Sequence, residues 1–396
     1  MSRLRVLVLA RSYPNNALPQ LGLWTARPTA LLAKHCDVHV ISPVPWCPPL
    51  PALHGLAQYA RFRRVHRKEL RDGVDVEHPR FPVGPGTSLY PLEARAYEAG
   101  VRRTAERLNR DRPFDLIHAH FIYPDGVVAS RLARRWGIPF VVTEHAPWTG
   151  WLDRLGISRQ ALPAARGSAA ILAVSSAVEQ TIRRYAGPEP RVEIVPMGVD
   201  TELFRPGPER DRKRDQILFV GFINYVKGID VLLEAMARIA REGGPGRLLL
   251  VGGAFYRNTR LQEEELRGLA GSLDLGDRVS FLGRRPPEDV AALMRESAVV
   301  VLPSRAESFS AVLVEALASG TPVVATRSGG PEDIVRDGVG ELVEPEDSAA
   351  LADALARAVG SGDVDRDRLR SYAIENYDWN TIVRRTHELY EQVAAR

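Results

Sequence analysis

The stretch Val300-Val-Leu-Pro-Ser-Arg-Ala-Glu-Ser-Phe-Ser-Ala-Val-Leu-Val-Glu-Ala-Leu-Ala-Ser-Gly-Thr-Pro-Val-Val-Ala325 reads as strand, polar turn, helix, glycine stop at Gly320 and a second strand led in by Pro322. That succession is the unit of a parallel α/β sheet. Glu307 falls in the turn and Glu315 about two helical turns further on, so the two carboxylates can face different parts of one extended ligand. Ser308, Phe309, Ser310, Ala311 and Val312 occupy the helix start, where unpaired amides and the helix dipole favour a diphosphate. Taken alone, Glu315 reads equally well as a solvated helix position and Glu307 as a charge at a helix N-terminus.

The same rhythm recurs along all 396 residues. In the first half it predicts strands at Arg5–Leu9, Val38–Ile41, Leu116–His118, Phe140–Thr143, Ala170–Val174 and Val192–Val195. In the second half it predicts Ile217–Val220, Leu248–Val251, Val279–Leu282, Val299–Leu302 and Val323–Ala325. The chain exceeds what one hydrophobic core usually organises, so two α/β domains are expected. Gly198–Asp215, with its prolines and the charged run Glu209–Asp215, reads as the linker. Ligands bind such sheets at the carboxyl ends of the strands, and two facing sheets would make a cleft. Neither half carries G-x-G-x-x-G, so a nicotinamide or flavin cofactor is not expected. The segment after Trp379 reads as a terminal helix with Ile382, Val383, Leu389 and Tyr390 on one side.

Composition excludes several classes. The apolar start Val6–Ala10 ends at Arg11, too soon for a secretion signal, and nothing approaches a membrane span. Cys36 and Cys47 have neither metal-ligand nor disulfide-framework spacing, which points to a reducing cytoplasm. Residues 1–200 hold 27 basic against 17 acidic side chains, while the overall net charge is only +4. The first half is therefore basic and the second acidic, an arrangement that draws an anionic partner to the first. The densest run, Arg61-Phe-Arg-Arg-Val-His-Arg-Lys-Glu-Leu-Arg71, has two readings: a solvated loop or helix face, or a dock for an anionic membrane at the inner face of the cell. No nucleic-acid-binding motif accompanies it.

The Glu307 to Glu315 segment resembles the E-x7-E signature of the retaining glycosyltransferases of family 4. Further matching stretches follow in order: Asp115–Gly126, Val141–His145, Ile194–Phe204, Ile217–Gly221 with Lys227-Gly228, and Val279–Gly283. The segments Ser42–Trp46 and His78–Arg80 look most like the branch of teichuronic-acid-type cell-surface polysaccharide transferases. The resemblance implies a GT-B fold: two Rossmann-like, doubly wound α/β domains facing across a cleft, with a C-terminal helix crossing back. It places an acceptor domain at 1–200, a nucleotide-sugar donor domain at 201–377 and the returning helix at 378–396.

On those terms the enzyme is a retaining, metal-independent hexosyltransferase that moves a sugar from a nucleotide diphosphate donor to a glycan, lipid-linked or small-molecule acceptor. Glu315 would hold the ribose, Glu307 the transferred sugar, and Lys227 would offset charge on the departing diphosphate. Gly22, Gly221, Arg284 and the 308–312 helix start complete the donor side. His145 would bond the reacting sugar and His120 the acceptor, with His118, two residues earlier on the same strand face, packed in the core. No Asp-x-Asp motif or zinc-like cluster is present. The family usually sets an arginine after the first glycine of the second domain, where this chain has Phe222; Arg284 or Arg305 would then stand in, or Lys227 would act alone. Two rival readings follow, a nucleotide-sugar epimerase and a nucleotide-sugar-binding scaffold that has lost catalysis.

Overall fold

A computed structural model describes residues 3–46, 60–83, 90–154, 156–253, 259–360 and 364–395. The chain divides into two units, one of Met1–Pro196 with Ile382–Arg396 and the other of Met197–Thr381. The boundaries of these units fall near 196 and 381, within a few residues of 200 and 377.

Unit 1 is built on β1 (Arg5–Leu9), β2 (Asp37–Ile41), β3 (Val44–Trp46), β4 (Lys68–Arg71), β5 (Val74–Glu77), β6 (Arg80–Pro82), β7 (Leu116–His120), β8 (Phe140–Glu144), β9 (Ala170–Ala173) and β10 (Val192–Ile194). Eight of these form one sheet in the order β10-β9-β8-β7-β1-β2-β5-β4. All its pairings are parallel except β4 with β5. Because helices cover both faces of such a sheet, its inner strands read as unbroken apolar runs. All of β7, β8 and β9 are buried.

Unit 2 carries β11 (Lys213–Val220), β12 (Arg247–Val251), β13 (Val279–Gly283), β14 (Ser297–Leu302), β15 (Val323–Thr326) and β16 (Gly340–Val343). They lie in the order β13-β12-β11-β14-β15-β16, every pairing parallel. In order of appearance this is 3-2-1-4-5-6, the Rossmann arrangement, and the order reverses between β11 and β14.

Two sequence expectations are corrected. The segment Gly198–Asp215 is not a linker, because it lies within unit 2 and is bonded into it. Val199 donates to the Tyr377 carbonyl at 2.7 Å, Arg370 donates to the carbonyls of Thr201 and Phe204, and Lys213–Asp215 open β11. Nor is the basic run a plain loop or helix face. Its second half is the edge strand β4, turned into β5 at Asp72-Gly73, both with positive φ. Two of its apolar members turn inward, Phe62 and Val65 being buried with Val44 under Ala17 and Leu18, whereas Leu70 on β4 is exposed. β3 and β6 pair with each other in a separate two-stranded sheet, so the segments 42–46 and 78–80 are neighbours in space. His78 joins them, its Nδ1 donating to the Ser42 carbonyl at 2.8 Å.

The terminal helix Trp379–Ala394 buries the expected Ile382, Val383, Leu389 and Tyr390. Cys36 is a buried thiol, and Cys47 lies outside the described residues. Among the described residues no helix is long and apolar enough to cross a membrane.

Candidate active site

At the reversal point of unit 2, the loop after β11 meets the loop after β14. Gly228 makes the meeting close: its φ is +61°, and a Cβ there would lie 2.0 Å from the Pro303 carbonyl oxygen. Any other residue would force the loops apart. Arg305 N donates across the same seam to the Val226 carbonyl at 2.7 Å. Asn224 caps the short turn before Gly228 by accepting from Lys227 N at 3.2 Å.

This backbone framework sets Lys227 Nζ 2.5 Å from Glu307 Oε1, with side chains only 20% and 10% exposed. The same carboxylate oxygen accepts from Ser304 Oγ at 2.6 Å. Glu307 is also fixed through its main chain, donating to the Ser328 carbonyl at 2.8 Å and accepting from Gly330 N at 3.1 Å. The two residues assigned to leaving group and transferred sugar are therefore in contact.

Three residues beyond Glu307, Ser310 holds left-handed backbone angles (φ 89°, ψ 63°) as the N-cap of helix Ala311–Ala318. A serine in that region is strained by about 1 kcal/mol or more. Its Oγ is buried and has no hydrogen-bond partner, the kind of group a ligand oxygen would satisfy. Ser308 is half-buried in the turn, and Phe309 turns its ring inward against Tyr377 at 6.0 Å, leaving its main chain at the helix start. Ala311 and Val312 form the first turn, and Glu315 sits half-buried in the second. Gly221 ends the strand under Lys227, whose Cε would lie 3.9 Å from a Cβ at 221.

The two arginines offered in place of the family cation part company. Arg305 is clamped by Asp230 at 2.7 and 2.9 Å, by the Tyr225 carbonyl and by Glu346, with its guanidinium 3.8 Å over the Tyr225 ring. It serves as a strut between loops and is corrected as a free stand-in. Arg284 follows β13 and lies 6.0 Å from the Phe222 ring centroid. The sequence reading missed the Arg305–Asp230 pair, whose members are 75 residues apart; the only sign was an acid three residues past Lys227.

In unit 1, Gly22 (φ +73°) caps helix Leu23–Leu32, and a Cβ there would lie 2.1 Å from the Ser12 carbonyl oxygen. Its need for glycine is thus explained within the chain. His118 and His120 share one face of β7 with centroids 4.5 Å apart. His118 bridges Tyr390 OH at 2.5 Å and Thr143 Oγ1 at 2.7 Å, the packed role expected of it. His120 Nδ1 shares a 2.9 Å hydrogen bond with His145 Nε2, while His145 Nδ1 is buried and unpartnered. Burial drives His118 and His145 down to about 3 and His120 well below the ordinary imidazole value, so all three are neutral at pH 7.

Two buried acids that the sequence reading passed over hold the loop after β7. Asp125 accepts from Arg11 N and Tyr97 OH, each at 2.7 Å, and Glu144 accepts from Ile122 N and Trp148 Nε1, each at 2.9 Å. Burial raises both to about 7, against the pull of those donors. Among the described residues no group of three or more His, Cys, Asp or Glu is placed to hold a metal ion.

A carboxyl raised on folding binds its proton more tightly in the folded chain, so its stabilising share is complete below about pH 4 and is lost as pH rises through about 7. Asp125→Asn keeps an acceptor but cannot ionise. Urea midpoints at pH 5.5 and 8 should therefore differ less in this variant than in the parent; an equal or larger difference would contradict the assignment.

Family models match both halves of the chain: Glycosyltransferase Family 4 over residues 29–203 and Glycosyl transferases group 1 over residues 200–376. The D-inositol 3-phosphate glycosyltransferase of Frankia alni is 37% identical over 317 residues, covering 73% of this chain and 76% of that one. The enzyme of the same name from Acidothermus cellulolyticus is 32% identical over 386 residues, covering 86% and 84%. Among solved structures, sucrose-phosphate synthase from Thermosynechococcus elongatus superposes with a TM-score of 0.75 at 22% identity, covering 99% of this chain and all of that one. Anabaena HepE in complex with UDP gives 0.76 at 21%, covering 98% and 100%. These two show the fold, which is GT-B. With relatives this similar over at least two thirds of both chains, the protein belongs to glycosyltransferase family 4, enzymes of hexosyltransferase type that draw on a nucleotide-sugar donor.

Proposed function

We propose that unit 2 binds the nucleotide diphosphate sugar and that transfer retains the anomeric configuration without a metal. The contact of Lys227 with Glu307 beside the start of helix Ala311–Ala318 carries this reading. In it, the helix start and Ser310 take the diphosphate, Glu315 the ribose and Glu307 the sugar hydroxyls. Lys227 offsets the charge that grows on the leaving group. Unit 1 supplies acceptor recognition, with His145 bonding the transferred sugar and His120 the acceptor. Glu307 and Glu315 are not the acid and nucleophile of a glycosidase, because each is assigned to hydroxyls at a different end of the donor.

Truncating Glu315 to alanine should weaken binding of the free nucleoside diphosphate by about tenfold, since it removes hydrogen bonds to a charged acceptor. Lys227→Ala should instead lower kcat by about 100-fold. Titration calorimetry and initial rates separate the two, and unchanged diphosphate affinity in the Glu315 variant would overturn its role.

For the acceptor we infer a small phosphate-bearing polyol. Two observations support it: the printed names of the 37% and 32% identical relatives, and the basic surplus of residues 1–200. A second reading, a cell-surface polysaccharide of teichuronic-acid type, is favoured by the pairing of β3 with β6, which makes one feature of the two segments that suggested that branch. Rates with inositol 3-phosphate, free inositol and short anionic oligosaccharides decide between them. Preference for the phosphorylated polyol is expected, and transfer to the oligosaccharides alone would reverse the choice.

We also propose that the Arg61–Arg71 face touches an anionic membrane chiefly by charge, because Phe62 and Val65 are buried and Leu70 alone of its apolar side chains is exposed. Changing Arg63, Arg64 and Arg67 to glutamine should reduce sedimentation with phosphatidylserine vesicles at low salt and leave donor affinity unaltered. Equal sedimentation of variant and parent would remove the idea.

A further inference from the structure

From Leu116 to Ala129 every residue is buried except Phe121, which follows His120 directly at the end of β7. Its backbone is as unusual as its exposure. With φ 71° and ψ 142° it holds a conformation that costs any residue carrying a Cβ and that glycine adopts freely. The chain is bonded into this shape from both sides. Phe121 N donates to the Thr143 carbonyl at 2.8 Å, Ile122 N to Glu144 Oε2 at 2.9 Å, and the Phe121 carbonyl accepts from Gly126 N at 3.0 Å. Strain of this kind survives only where the surroundings overdetermine it, and it gathers where a ligand is held.

The strained position delivers an aromatic ring to the end of a row of imidazoles. The Phe121 ring lies 5.1 Å from that of His145, tilted by 53°, and His145 lies 5.2 Å from His120, nearly parallel at 15°. Among the described residues no other ring meets Phe121. A cyclic polyol or a pyranose carries C–H groups on its flat faces and hydroxyls around its edge. Its complement is an aromatic surface for the faces with hydrogen-bonding groups beside it for the edge, and Phe121 with the imidazoles offers both. An open-chain polyol has no flat face to lay on the ring.

We propose that Phe121 is a specificity-determining residue of the acceptor site, its ring taking the C–H face of a cyclic polyol or pyranose while His120 meets a hydroxyl. The inference rests on unit 1 supplying acceptor recognition, and it adds that the acceptor is selected as a ring.

The test compares Phe121→Gly, Phe121→Leu and Phe121→Tyr with the parent, using inositol 3-phosphate as the cyclic acceptor and glycerol 3-phosphate as the open-chain one with the same charged group. Phe121→Gly should melt within about 3 °C of the parent, because relief of the backbone offsets the lost ring contact. Its KM for inositol 3-phosphate should nevertheless rise about tenfold, with the donor KM held within about twofold. Phe121→Leu, which keeps bulk without a flat face, should show most of that rise, and Phe121→Tyr should stay within about threefold of the parent. The parent's preference for the cyclic acceptor should shrink by about the same tenfold in Phe121→Gly. A parent-like acceptor KM in Phe121→Gly or Phe121→Leu, or donor and acceptor KM rising together, would overturn the proposal. Should Phe121→Gly fail to fold, strain relief is disproved and the leucine and tyrosine variants decide the role of the ring. If the parent uses inositol 3-phosphate and Phe121→Leu matches it, only this inference fails. If the parent transfers to no cyclic acceptor, it falls together with the acceptor reading.

Discussion

The approach of Gly228 to the Pro303 carbonyl is the constraint on which the site in unit 2 depends. Two loops that leave neighbouring strands at the reversal of the sheet can carry side chains into contact only if their main chains meet closely. A residue without Cβ allows that meeting, and the main-chain bond from Arg305 to Val226 locks it. Lys227 and Glu307 then face each other because the backbone leaves them little alternative. Their salt bridge is half-buried, so breaking it one-sidedly leaves a poorly solvated charge; Ser304 and the main-chain bonds of Glu307 hold the carboxylate in register. Placement of this kind is what an electrostatic site needs, since groups fixed beforehand need not reorganise during transfer.

Unit 1 solves a related problem with neutral groups. Its three clustered imidazoles are uncharged, and the loop after β7 is held by two carboxyls buried among N–H and O–H donors. The basic surplus of the first half lies elsewhere, in part on the strand edge at β4. Charge on that edge also discourages a second chain from pairing there.

The sheet cores were legible because parallel strands buried on both faces are continuous apolar runs, as at Val299–Leu302 and Val141–Val142. What escaped were short or half-exposed edges. The strand Lys68–Arg71 was hidden in a charge run, although the Asp72-Gly73 dipeptide that turns it was in plain view, and Gly340–Val343 is half-polar. The acidic pair at 307 and 315 and the lysine at 227 were readable from spacing and resemblance, whereas their contacts were not. Nothing linear connects Arg305 with Asp230, Arg284 with Phe222, or His118 with Tyr390; these pairings exist only once the sheet order is set. The strain at Ser310 was equally invisible, since serine is an ordinary N-cap and only its backbone angles make it unusual.

The bond between Tyr390 and His118 joins positions 272 residues apart. Everything in unit 2 is synthesised between them. On the ribosome, the first sheet must therefore wait with the flank over His118 uncovered while a whole second sheet emerges and folds, and it is sealed only when residues 382–395 arrive. Burial of Ile382, Val383, Leu389 and Tyr390 is thus a late step of assembly, and a chaperone that shields apolar surface would have its longest engagement at that flank.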